Sequence, residues 1–375
     1  MFSRTLIKDI VFKIPFLKRY YVKRRTQVSK DLYELGSKRL EDYLEEAEKV
    51  LLPHESMANK LVVGLVQDGN EYKGYVKERA YYPKYERFLL NNSINYEYYD
   101  IMANDWLAKA SKYDVIIWHM TSDPATQEIA TNKLYILDKI LGKKCHPSFD
   151  EIWTYEDKIN MHYLYQAHNL PEIPTFVSHD KEDALKYAKN AKYPIISKLV
   201  TGSSSFGVEK ISSFKEAKRI IDSSFSYKGN KTYFPYQRQK DYVLFQEFIP
   251  GAEFDLRIIV VGDKLFGYYR YPNKGDFRAS GAGNYEKKEI DAEALELAYT
   301  VKEKFNCTFL ATDLLYSKSN QCYYIIESSI FIGIDTPSQL EINGVAGYYR
   351  RVEKNRFEFI QGKFWIQELV LNEVI

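Results

Sequence analysis

Residues 194 to 208, Pro-Ile-Ile-Ser-Lys-Leu-Val-Thr-Gly-Ser-Ser-Ser-Phe-Gly-Val, place a lysine at the end of a short apolar strand and a small-residue loop directly after it. Gly202 and Gly207 let backbone N–H groups approach an anion, Ser203, Ser204 and Ser205 add hydroxyl donors, and Lys198 supplies a point charge. That composition suits a phosphate cradle. It equally suits a hairpin tip whose serines solvate a turn. It is not a P-loop, because that motif puts Gly-Lys-Ser or Gly-Lys-Thr after the loop. Here the lysine comes first, and Val208, Lys210 and Ile211 continue as a second strand, which makes the loop a hairpin lid.

Further along, Phe245-Gln246-Glu247-Phe248-Ile249-Pro250-Gly251-Ala252-Glu253 joins an apolar strand edge, suited to a flat base, to Gln246 as its hydrogen-bonding partner and Glu253 for ribose hydroxyls. Arg257, Arg270 and Arg278 follow, the last within Gly275-Asp276-Phe277-Arg278. Their planar forks suit phosphate and carboxylate oxygens. Asp313 and Glu327 end two apolar strands, and carboxylates so placed can bridge magnesium to nucleotide phosphates.

Elements must hold these residues. A chain of 375 residues with 45% hydrophobic content can build two or three cores. Residues 31 to 52 read as an amphipathic helix ended by Pro53, and Leu61 to Val66 and Val115 to Trp118 as strands of a small, mostly parallel α/β domain. Helix Asp157 to His168, strand Ile173 to Val177 and helices from Asp180 and Ser213 follow, then a polar loop over 223 to 240 and a strand-rich remainder. The expected division is 1–58, basic segment and helix; 59–150, α/β domain; 151–240, first lobe; and 241–375, second lobe with a C-terminal extension.

A net charge of +2 gives no electrostatic reason to expect nucleic acid. Cys145, Cys307 and Cys322 lack disulfide or zinc spacing, which fits a reducing cytoplasm. His119, after the apolar run Val115 to Trp118, reads first as an ordinary strand-end histidine, with a functional role as the alternative. Residues 1 to 25 carry eight basic side chains against Asp9 alone, with apolar residues at helical spacing, so they suit either peripheral contact with an anionic membrane at its inner face or packing on their own domain. The 33 tyrosines have no functional account.

The ordered set Asp157-Lys158, Lys198, Gly202 to Val208, Gln246 to Ile249, Asp255-Leu256-Arg257, Asp276-Phe277-Arg278, Asp313 and Glu327 resembles the ATP-grasp superfamily over residues 60 to 345. It looks closest to ribosomal-protein glutamate ligases and glutathione synthetase. The resemblance implies an α/β fold with a pre-ATP-grasp domain and two lobes clamping ATP. It implies Lys158 and Lys198 on the α- and β-phosphates, the Gly202 to Gly207 loop over the γ-phosphate, Gln246 with the backbone of Phe248 and Ile249 at adenine, and Glu253 at ribose. Asp313, Glu327 and residue 329 would hold Mg2+, and Arg257, Arg270 and Arg278 would stabilise charge at the reacting centre. The implied reaction joins a carboxylate to an amine through an acyl phosphate, releasing ADP and phosphate. A phosphotransferase or a nucleotide-binding module without turnover are the alternatives. Where the family has Glu-x-Asn this chain has Glu327-Ser328-Ser329, read as a modified metal site. The substrates are expected to be a small-molecule carboxylate and amine, sugar-linked or lipid-linked forms included. The loops near His119 and Thr121-Ser122-Asp123 are expected to shape the acceptor pocket.

Overall fold

Three sheets take the chain in turn. The computed structural model describes residue 40 and residues 42–53, 61–68, 80–202, 205–232 and 234–375. The basic segment 1–25 and the loop residues Ser203 and Ser204 lie outside that set.

The first sheet is all parallel, in the order β2-β1-β3-β4, from β1 (Val62–Val66), β2 (Asn95–Tyr98), β3 (Val115–Trp118) and β4 (Lys144–His146). Val-Val-Gly-Leu-Val and Val-Ile-Ile-Trp are the continuous apolar runs a strand covered on both faces requires. Gly64 is fixed by packing, since a Cβ there would lie 2.7 Å from the Tyr113 ring. Of the helix expected over 31–52, the described part is helical only at Leu40 and at 42–44. Beyond it, the backbone N–H groups of Glu48, Val50 and Leu52 find partners elsewhere, at Lys363 O, Glu368 and Asn92, so tertiary bonds displace the local helix.

The second sheet is antiparallel, β5-β10-β6-β7, from β5 (Thr175–Ser178), β6 (Ile195–Ser197), β7 (Glu209–Ile211) and, after the two-residue strands β8 (Asn230–Lys231) and β9 (Arg238–Gln239), β10 (Val243–Glu247). Helices Lys181–Asn190 and Phe214–Ser224, each capped by the side chain before it, cover a core of Ala184, Ala188, Ile195, Ala217, Ile221, Val243 and Phe245. The boundary expected at 240/241 gave β10 to the second lobe. The pairing puts it in the first, because Val243 to Phe245 alternate into that lobe's core, and the chain crosses over between Glu247 and Asp255.

The third sheet runs β15-β14-β11-β12-β17-β16, with β13 beside β12 and β18 beside β17. Its strands are β11 (Asp255–Val261), β12 (Lys264–Tyr271), β13 (Asn284–Glu286), β14 (Phe309–Ser317), β15 (Cys322–Ser329), β16 (Glu341–Ile342), β17 (Val345–Glu353) and β18 (Arg356–Gln361). Helix Ala292–Phe305 packs its buried Ala294, Leu295, Ala298 and Val301 against β11 and β14. Helix Ile366–Val374 closes the chain against β11 and helix Tyr82–Asn91. The second and third sheets meet where residues 171–173 run beside β15: Ile325 N–H donates to Pro171 O at 2.9 Å and Ile173 N–H to Ile325 O at 3.1 Å. Among the described residues no helix is long and apolar enough to cross a membrane.

Candidate active site

Between the second and third sheets lies a solvent-open cleft of about 1010 Å³. Its lining includes the apolar Ile173, Ile196, Leu315 and Ile326, with Phe248 and Phe277 meeting edge to face at 5.9 Å. Gln246 lies there, its amide N–H donating to Thr175 Oγ1 at 3.0 Å and so held by β5. Phe248 and Ile249 also line the cleft. This is the shape and polarity that a planar heterocycle needs.

Cations line the same cleft. Lys198 leaves β6 with only 6% of its surface exposed, and burial lowers its ammonium to about 8 although nearby Glu327 pulls the other way. Lys158 opens helix Lys158–Ala167, which Asp157 caps through the N–H groups of Ile159 and Asn160. Its Nζ donates to Gly202 O at 2.8 Å and lies 3.7 Å from Glu327 Oε2. The loop between β6 and β7 closes tightly, with Leu199 N–H to Gly207 O at 3.2 Å. Gly207 has φ +72°, and a Cβ there would come within 2.4 Å of Leu199, so glycine is required. Ser205 Oγ donates to Ser280 O at 3.3 Å, joining the hairpin to the loop that carries Arg278. Arg278 lines the cleft and is itself bound by Asp276.

Strand register builds the acidic floor. Asp255 faces Arg270, Arg257 faces Asp313, and Asp313 faces Glu327 across β12, β11, β14 and β15. Asp313 Oδ1 accepts from Arg257 Nε at 2.7 Å, and its Oδ2 accepts from Arg257 at 2.7 Å and from Arg270 at 2.5 Å. Burial alone would raise this carboxyl, but the two guanidiniums hold it at about 2. Asp255, also bonded to Arg270, is pushed up by burial and by Asp313.

A RimK-like ATP-grasp domain spans residues 155–344 of this sequence. The chain belongs to the RimK-like ATP-grasp family. It is 31% identical to an alpha-aminoadipate--LysW ligase, LysX, of Saccharolobus solfataricus over 62% of this chain and 78% of that protein. It is 29% identical to the coenzyme gamma-F420-2:alpha-L-glutamate ligase of Methanocaldococcus jannaschii over 47% of this chain and 58% of that one. Among solved structures, a RimK-domain ATP-grasp protein of Sphaerobacter thermophilus matches with a TM-score of 0.48 and 14% identity, over 71% of this chain and 90% of that one. The chain is thus an ATP-dependent carboxylate–amine ligase of α/β ATP-grasp fold.

Not every residue expected in the ligase's site lines its cleft. Arg257 and Arg270 sit behind Asp313 with their donors turned onto carboxylates, because strand register sets them opposite acids. Glu253 is exposed and paired with Lys318 at 2.5 Å. Ser329 hydroxyl donates to Phe331 O at 2.6 Å within the turn that leaves β15, so it is bound away from Asp313 and Glu327. His119 is more than a strand-end residue: its Nδ1 lies 2.6 Å from Asp68 and its ring stacks on Tyr81 at 3.9 Å, outside the cleft lining. Asp123 caps helix Pro124–Leu134 and accepts from Tyr236. Three neighbours of the cleft escaped the sequence reading: Glu156, and the His162–Glu172 pair at 2.7 Å near Lys158 and Lys198. Nothing in the spacing of Glu156, next to Asp157-Lys158, distinguishes it from a surface glutamate.

Proposed function

We propose that this ligase activates a carboxylate as an acyl phosphate. One observation carries the reading: Lys158, Lys198, Glu327 and Asp313 line the same cleft as the apolar Ile173, Ile196, Leu315 and Ile326 and the fixed amide of Gln246. ATP laid along it puts adenine beside Gln246 and the phosphates at the lysines. The substrate carboxylate oxygen attacks the γ-phosphorus and the bond to the β-phosphate oxygen breaks, giving ADP and an acyl phosphate. The amine then attacks the acyl carbon, phosphate leaves, and the amine loses a proton. Lys158 and Lys198 orient the phosphates, Arg278 faces the charge that develops on the transferred group, and the hairpin excludes water. Arg257 and Arg270 act through Asp313.

Asp313 and Glu327 suit Mg2+, a hard cation that takes oxygen ligands and bridges nucleotide phosphates. Asp313 accepts three charged hydrogen bonds and retains acceptor capacity, while Glu327 has Lys158 at 3.7 Å. Among the described residues no group of three or more His, Cys, Asp or Glu could hold a metal, so these two carboxylates would share the ion with oxygens of other kinds, nucleotide phosphates and water first.

The names of the relatives support an α-amino acid, glutamate or α-aminoadipate first, as one of the two partners joined, and a small molecule or a small carrier protein as the other. Sugar-linked and lipid-linked carboxylates enter the same screen. Free cysteines and ATP use support the cytoplasm as the site of action. The test is turnover with hydroxylamine present. ADP and an acyl hydroxamate are expected; AMP with pyrophosphate, or a stable phosphorylated product, would sink the assignment.

A further inference from the structure

We propose that Glu156 is a positioning residue for the phosphate end of the cleft, holding the start of the hairpin loop where Lys158 can meet the nucleotide; the inference rests on the nucleotide role proposed for Lys158. Three observations converge on it. First, Glu156 has φ +55°, in the left-handed region, within the short link between helices Phe149–Thr154 and Lys158–Ala167. Such a position favours glycine or asparagine, and a side chain there is strained. Second, the side chain turns inward rather than to solvent, and its Oε2 is buried without a hydrogen-bond partner. A link between helices requires neither feature, and both cost stability.

Third, what surrounds the carboxylate is the phosphate machinery. Lys158, Glu327, the Gly202 N–H and Arg257 are its neighbours. The Gly202 residue is therefore approached from two sides, its N–H by Glu156 and its C=O by Lys158 Nζ at 2.8 Å. Lys158 N–H adds a bond to Val200 O at 3.1 Å. The loop's first glycine and the lysine are thus braced against one strained residue. When a phosphate takes donors from Lys158, the Glu156 carboxylate remains facing the Gly202 N–H, and the start of the loop keeps its place.

A residue that merely links two helices would do better as glycine, which separates positioning from structure. Calorimetry of the full chain with ATP and magnesium, alongside thermal melting without nucleotide, would compare Glu156→Gly, Glu156→Gln and Lys158→Met. Glu156→Gly is expected to raise the ATP Kd about tenfold, the scale of one charge-assisted bond, while its Tm stays level or rises. Glu156→Gln keeps an acceptor for the Gly202 N–H and should recover most of the loss. An unchanged Kd in Glu156→Gly with a weakened Lys158→Met overturns this inference alone. A lower Tm in Glu156→Gly, with binding that Glu156→Gln does not recover, overturns it in favour of a structural role. An unchanged Kd in Lys158→Met overturns the nucleotide reading beneath it, and the inference with it.

Discussion

Replacing Lys198 with methionine should make the folded chain more stable and its hold on ATP weaker. The ammonium lies in a site that lowers it from 10.5 to about 8, and keeping it charged there costs the folded chain about 3 kcal/mol at neutral pH. Below pH 8 the folded and unfolded chains both carry the charge, so the whole cost is present. Between 8 and 10.5 the folded lysine is neutral while the unfolded one still binds a proton, so the cost fades and stability rises with pH. Methionine matches the stem and removes the charge, so its gain should be fullest at pH 7 and shrink towards pH 10, less whatever Glu327 loses in a cationic neighbour. Binding moves the other way. A lysine–phosphate bond of about 1.5–3 kcal/mol corresponds to about a ten- to hundredfold rise in Kd. Wild-type affinity should also fall as pH rises through about 8, a dependence the variant lacks. Thermal melts at pH 7 and 10 and ATP calorimetry across the same range measure both. A variant that melts lower than wild type at pH 7 and binds ATP unchanged would refute the reasoning.

Arg270→Met leaves Asp255 and Asp313 to Arg257 alone, an uncompensated buried charge costing about 3–5 kcal/mol at pH 8. Asp255, already pushed up by burial, can take a proton as pH falls, so urea unfolding at pH 5.5 should show a smaller loss; equal losses at the two pH values contradict the network. Glu327→Ala should abolish turnover, whereas Ser329→Asn should leave the apparent magnesium requirement alone or tighten it, because the Ser329 hydroxyl is bound to Phe331 O. An inert natural chain that Ser329→Asn revives would show the metal site to be degenerate. Removing residues 1–25 should spare ATP turnover and reduce sedimentation with anionic vesicles; a full-length chain that never sediments with them at moderate salt rules out the membrane contact.

Strands whose apolar pattern is local were legible. Val115–Trp118 and Lys264–Tyr271 fall where their composition puts them, because burial on a sheet face leaves a period that a single sequence carries. The end of the helix expected before Pro53 was not legible: Val50 and Leu52 bond to residues 318 and 40 positions away, and no local propensity reports such partners. Strand β10 shows the same limit. Its residues read as a strand, but which sheet receives them depends on pairing with β5 and β6 across two helices.

The arginines mark the deeper limit, since residue type gave their chemistry and register changed its direction. Arg257 and Asp313 are neighbours only because β11 and β14, separated by β12, β13 and a helix, align residue 257 with 313. Two guanidiniums then keep Asp313 ionised through the whole working range of pH, a fixed carboxylate in a fixed place. Glu327 differs. Lys158 lies 3.7 Å from it, and that lysine already donates to Gly202 O, so the contact is loose enough to yield. On the proposed reading, phosphate arriving with a cation finds one acid locked and one exchangeable. Asp313 and Glu327 would hold such a cation, and Lys158, released from Glu327, would be free to face the phosphate. Substituting Arg257 or Arg270 should therefore act first on how Asp313 is held and only through it on the reaction.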